Sequence, residues 1–113
     1  DINGVRIYTA PPVAPKGVLV HLDRLVAAFR ADPGRPQGRG LHEADVRPVE
    51  LALLREGLLD DRWARDGAAG TRTVLAYARW QKRVGFSGAG ADGIPGRMSL
   101  VKLARRHGFE VAA

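Results

Sequence analysis

Asp66-Gly67-Ala68-Ala69-Gly70-Thr71-Arg72-Thr73 and Asp92-Gly93-Ile94-Pro95-Gly96-Arg97-Met98-Ser99 decide the fold of this chain. Both stretches fit D-G-x-x-G-x-x-[T/S], and the copies lie 26 residues apart. An Asp before a Gly can accept hydrogen bonds from backbone amides two or three residues on, which makes an Asx-type turn. The first Gly tolerates positive φ, and the second allows a tight approach to a helix start. The Thr73 or Ser99 hydroxyl then falls in the first helical turn, where backbone groups lack partners. Each copy reads as a loop that starts a helix.

Apolar spacing extends this reading along the chain. The third helix runs from Gly70–Thr71 to Val84, with Thr73, Tyr77, Trp80 and Val84 on one face. The fourth runs from about Pro95 to His107, with Ser99, Leu103 and Met98 directed inward. Upstream, a second helix is expected from an N-cap at Asp45, with Pro48 in its first turn. Val46, Val49 and Leu53 form its buried stripe, and Gly57 ends it ahead of apolar Leu58. A first helix spans Val18–Ala31, with Leu22, Leu25, Val26 and Phe29 in register, and Asp32-Pro33-Gly34 stops it. The expected organisation is an extended arm over 1–17, an extra helix and turn-rich connector over 18–41, and a helical domain over 42–113. The fold class is all-α: a small three-helix bundle with an additional N-terminal helix.

The chain has 113 residues, 45% of them hydrophobic, which suits one small core. With no cysteine, it has neither a disulfide framework nor a thiolate zinc site. No apolar run is long enough to span a membrane. Asp1-Ile2-Asn3-Gly4 is neither a start methionine nor a signal peptide, and it reads as the beginning of a segment taken from something longer. The net charge of +6 is unevenly placed. Between Arg62 and His107 there are ten Lys/Arg, and the only acids are the motif aspartates, Asp66 and Asp92.

The stretch Asp45–Phe109 resembles the peptidoglycan-binding domain found beside the catalytic domains of bacterial and phage cell-wall hydrolases. Three blocks carry the likeness. Val46-Arg47-Pro48-Val49-Glu50-Leu51-Ala52-Leu53 ends at Gly57-Leu58. Asp66-Gly67-Ala68-Ala69-Gly70-Thr71-Arg72-Thr73 leads into Ala76-Tyr77 and Trp80-Gln81. Gly85-Phe86 precedes Asp92-Gly93-Ile94-Pro95-Gly96-Arg97-Met98-Ser99. The form looks actinobacterial. Three positions depart from the pattern: Glu50 stands for a Gln, Ala69 for an aromatic, and Ser99 for a Thr. Loss of the aromatic at 69 would open the loop or remove part of a ligand platform, with Trp63 as a substitute. The resemblance implies a compact three-helix module that binds peptidoglycan and targets a covalently linked catalytic domain to it. It further implies an extracellular or cell-wall location. Asp66, Arg72, Asp92 and Arg97 would supply polar contacts to the ligand, with Tyr77 and Gln81 on the flank and Trp80 in the core. Teichoic acid is a further candidate ligand.

Enzyme signatures are missing from the sequence. His21, His42 and His107 are dispersed, with no H-E-x-x-H arrangement, nucleophile elbow or P-loop. His107, beside Gly108 at a helix end, is expected to meet terminal carbonyls. The reading is a binding module with no catalytic residues, no metal and no cofactor. A structural domain of a phage tail or secreted assembly is the alternative. A basic nucleic-acid-binding domain is the lesser one, because Arg79, Lys82, Arg83, Lys102, Arg105 and Arg106 decorate the last two helices while few aromatics face outward.

Overall fold

A computed structural model describes residues 18–34, 40–64 and 67–112. The expected arm over 1–17 lies outside them. The protein is a small, mostly helical fold with one short strand pair. Among the described residues four α-helices follow in order: α1 (Leu22–Ala31), α2 (Glu43–Arg55), α3 (Thr71–Arg83) and α4 (Arg97–His107). Strand β1 (Leu19–His21) precedes α1, and β2 (Glu110–Ala112) follows α4.

Glycine ends three of the helices. After α2, Gly57 takes φ +78°, its N–H reaches the Leu54 carbonyl, and Leu58 N–H reaches Leu53. After α3, Gly85 repeats this at φ +106°, with its N–H on Lys82 and the Phe86 N–H on Gln81. Both are Schellman closures, in which only a residue tolerant of positive φ turns the chain out of the helix while satisfying its last carbonyls. Gly108 closes α4 at φ +82°, its N–H on Ala104.

One core joins all four helices. Trp80 and Tyr77 of α3, Leu25 and Phe29 of α1, Val46, Val49 and Leu53 of α2, and Leu100 and Leu103 of α4 are all buried. Phe29 meets Tyr77 edge to face, with ring centroids 5.7 Å apart and planes at 78°. Burying side chains of this size stabilises by roughly 1.5–3 kcal/mol each, against about 1 kcal/mol net for a backbone hydrogen bond. Docking of α1 therefore rests mainly on Leu25, Ala28 and Phe29, and the polar ties set its position.

Three of those ties differ from the sequence reading. Residues 19–21, assigned to the first helix, form β1 instead, paired in parallel with β2 in the register Leu19–Glu110, Val20–Val111 and His21–Ala112. Val20, at its centre, is fully buried. Helix α2 starts at Glu43, earlier than expected, behind His42 at φ +56°. Asp45 is thus not a cap. Its buried carboxylate accepts the His21 backbone N–H at 2.7 Å and lies 3.0 Å from His21 Nδ1, pinning β1 to α2. Pro48 falls inside the helix rather than in its first turn, where its missing N–H leaves the Ala44 carbonyl without the usual donor. Asp32, at the end of α1, is also buried, and it accepts the N–H groups of Leu41 and Ala69.

Gly93 combines a positive φ with a close approach of its neighbours. Its φ is +85°, and a Cβ there would lie 2.6 Å from both the Val74 carbonyl oxygen and Cγ1. A Cβ at Gly70 would meet nothing within 4 Å, and φ there is negative. Gly93→Ala is expected to destabilise by about 3 kcal/mol through strain and clash. Gly70→Ala should cost under about 1 kcal/mol. Urea unfolding of the two variants measures the difference.

Candidate functional site

The second D-G-x-x-G loop is built around one buried amide. Gly93 is buried at positive φ, so its N–H needs an acceptor from the protein. Gln81 of α3 supplies it: Gly93 N–H donates to Oε1 at 2.8 Å, and Nε2 donates to the Ile94 carbonyl at 2.9 Å. Asp92 forms the expected Asx turn, accepting the Ile94 N–H at 2.9 Å. At the start of α4, the Ser99 hydroxyl donates to the Gly96 carbonyl at 3.1 Å. With that proton committed, Tyr77 donates to Ser99 Oγ at 2.8 Å, while Trp80 Nε1 donates to the Ser99 carbonyl at 2.9 Å. Burial pushes the Tyr77 phenol well above its ordinary range, so it stays neutral as a structural donor.

The first loop uses the same plan with a different side chain. Gly67, at φ +71°, donates its N–H to Glu50 Oε1 at 3.0 Å, and the Thr73 hydroxyl donates to Oε2 at 3.3 Å. Glu50 thus stands to the first loop as Gln81 stands to the second, each reaching from the preceding helix to the loop's first glycine. The covering differs. Asp32 holds the Ala69 N–H, and Gly40 lies so close that a Cβ on it would be 2.2 Å from the Gly67 carbonyl oxygen. Ala69 is fully buried. The expectation that a missing aromatic opens this loop is therefore reversed, because Asp32 and Gly40 close over it. The second loop keeps Asp92, Gly96 and Arg97 exposed.

Of the six anticipated site residues, the five that are described do not converge. Asp66 lies outside the described residues. Gln81, Asp92 and Arg97 line one open cleft of about 340 Å³ beside the second loop, with Phe86, Ile94 and Met98. Met98, expected inward, is 67% exposed and forms part of this surface. Gln81 is itself buried, with both ends of its amide occupied by the loop. Tyr77, expected on the flank, is instead a core residue with no exposed surface. Arg72 lies away from the second-loop cleft, over the ring of Trp63 at 5.7 Å, in a separate cleft on α3. Both helix-start glycines, Gly70 and Gly96, have open space around them and negative φ, so the close approach anticipated for them is not the reason for glycine there.

The basic face of α3 and α4 is partly neutralised by one residue that the motif reading passes over. Glu56, at the end of α2, accepts from Arg83 Nη1 at 3.1 Å and from Arg106 Nε, and lies 2.8 Å from His107 Nε2. His107, expected on terminal carbonyls, meets this carboxylate instead. Burial opposes ionisation of Glu56, but the hydrogen bonds from Arg106 and His107 and their charges outweigh it and hold its pKa below the ordinary value. The apolar spacing of three separate helices gives no hint that their ends meet at one carboxylate. Among the described residues no group of three or more His, Cys, Asp or Glu is placed to hold a metal ion. Nor is any helix there long and apolar enough to cross a membrane.

Comparison with protein-family models, with curated proteins and with solved structures found no match.

Because the folded-state pKa of Glu56 is depressed, its contribution to stability is whole above the ordinary glutamate range and is lost as pH falls through the folded value. Glu56→Gln is expected to destabilise by about 2 kcal/mol at pH 7, or roughly 8 °C in Tm. The gap between variant and parent should narrow steadily from about pH 5 to pH 3. Thermal melts across that range read it directly.

Proposed function

We propose that this chain is a non-catalytic module that binds peptidoglycan and brings an attached partner to the bacterial wall. Support comes from the two D-G-x-x-G-x-x-[T/S] blocks and their flanking pattern, which resemble the wall-binding domain family in residue type and spacing. The observation that carries the reading is the second-loop cleft. It sets exposed Met98 and half-buried Phe86 and Ile94 beside one exposed acid, Asp92, and one exposed base, Arg97. No carboxylate among the described residues pairs with Arg97, so its guanidinium is available to a ligand.

Peptidoglycan stem peptides present carboxylates, amines and small methyl groups in close succession. A surface with one base, one acid and a shallow apolar floor matches that chemistry better than a uniform cationic stripe does. Binding energy from so small a contact is modest, and such a module acts by raising the local concentration of a tethered partner at an insoluble substrate. The site residues in this reading are Asp92 and Arg97 with Met98 added. Gln81 holds the loop, Tyr77 stays inside, and Arg72 is not part of this contact.

Co-sedimentation with purified peptidoglycan stripped of teichoic acid is the test. The chain should pellet with it at about 0.15 M salt. The pair Arg97→Glu and Met98→Asp should reduce retention at least about tenfold with Tm unchanged, since both side chains are exposed. Absence of pelleting even at low salt overturns the proposal. Retention that vanishes once teichoic acid is removed points to charge alone, and a mobility shift of duplex DNA with a steep salt slope points to nucleic acid.

A further inference from the structure

A second cleft, also about 340 Å³, lies along α3, against Leu58, Leu59, Asp60, Arg62 and Trp63. Its apolar lining residues are Leu58, Leu59, Ala76 and Leu75, the last of these 53% exposed. One wall is the half-buried indole of Trp63. Its rim carries Arg62, Arg72 and Arg79 against a single acid, Asp60.

The charges in this cleft are not consumed by the fold. Arg72 and Arg79 have no carboxylate partner among the described residues, and Arg62 reaches Asp60 only at 3.8 Å between two well-exposed side chains. An ion pair at that exposure contributes little. Asp60 is occupied at its Oδ1 by the Arg62 N–H, as cap of the short turn Asp61–Trp63. By contrast, Arg83 and Arg106 on the neighbouring faces are tied to Glu56. The basic side chains are thus of two kinds: those that staple the bundle, and a set on another face of α3 that surrounds a hollow. Arg72, Leu75 and Arg79 share this face by the 3.6-residue period.

Guanidinium groups bind carboxylate and phosphate oxygens in a planar fork, and an indole face accepts the apolar side of a ring. A hollow of this volume has room for about eleven waters at roughly 30 Å³ each, which is the scale of one or two sugar rings. We propose that the cleft bounded by Trp63, Arg72 and Arg79 is a binding site for an acidic saccharide, a sugar ring bearing a carboxylate or a phosphate. The ring lies against Trp63 and Leu75, and the anionic group bridges Arg72 and Arg79. Binding displaces the Arg72 guanidinium from its place over the indole. The site is separate from the second-loop cleft and does not rest on the wall-binding reading.

Tryptophan fluorescence tests this, because Trp63 is at the surface and Trp80 is enclosed in the core. Titration with glucuronate and with glucose 6-phosphate should change the emission in a saturable, salt-sensitive manner, whereas glucose should not. Whichever of the two binds tighter identifies the acidic group as carboxylate or phosphate. Arg79→Gln, at an exposed position, should weaken binding at least about tenfold with Tm unchanged. Trp63→Phe should abolish the signal while leaving binding measurable by calorimetry. The proposal is overturned if neither acid binds by about 10 mM, if glucose binds equally, or if Arg79→Gln has no effect. Tighter binding of a single-stranded oligonucleotide than of either sugar, lost in Arg79→Gln, overturns it in favour of nucleic acid. Arg97→Glu and Met98→Asp leave this titration unchanged, so the two sites fail or succeed independently.

Discussion

A glycine amide turned inward at positive φ has to find an acceptor inside the protein, since water cannot reach it. Gly67 and Gly93 each present such an amide, and each is met by the side chain of a long polar residue on the preceding helix, Glu50 or Gln81. Those two hydrogen bonds set where each loop lies relative to the helix before it. They also place the following helix, because Thr73 and Ser99 extend the polar network into its first turn. The chemistry of the acceptor then differs usefully. An amide can both accept and donate, so Gln81 also secures the Ile94 carbonyl. A carboxylate has only acceptor sites to offer, and Glu50 uses its second oxygen on the Thr73 hydroxyl. Exchanging Glu for Gln at these positions is thus not neutral, although both residues reach equally far.

The helices are legible in the sequence because each buries a stripe at regular spacing and ends at a glycine or a proline-bearing turn. Val46, Val49 and Leu53, and Thr73, Tyr77 and Trp80, occupy the inward positions that their spacing requires. The Asx turn at Asp92 and the positive φ of Gly67 and Gly93 are legible too, since both are local properties. Long-range partners leave no local trace. Nothing in Val18–His21 distinguishes a three-residue strand from the first turn of a helix, and only pairing with Glu110–Ala112 decides it. The buried roles of Asp32 and Asp45 are hidden for the same reason: an acid near a helix end reads as a cap until the fold brings a distant amide to it. Met98 reads as inward because residues at adjacent positions on a short helix differ by only about 100°. Leu100 and Leu103 already fill the inner face, which leaves the methionine outside.

The two motif copies have parted in use. Around the first, Asp32 at the end of α1 holds Ala69, and Gly40 lies against Gly67. An aromatic at position 69 has no room beneath that cover, which accounts for alanine there. Around the second, no helix is added, and acid, base and methionine stay at the surface. Symmetry in the sequence is therefore a statement about how the backbone is built. It does not make the two loops equal as surfaces, and the candidate site residues divide accordingly between one exposed loop, one distant cleft and the core.

The strand pair has a bearing on how the fold forms. Leu19–His21 can pair only after Glu110–Ala112 exists and α4 has been placed, so the earliest described element waits for the last. Until then α1 lacks the tether at its start, and Val20, Leu25 and Phe29 remain available to water or to other chains. Contacts of such high sequence separation slow folding, because the loop must be closed before the contact returns any free energy. Loss of the β2 pairing releases β1, and with it one side of the core that α1 covers.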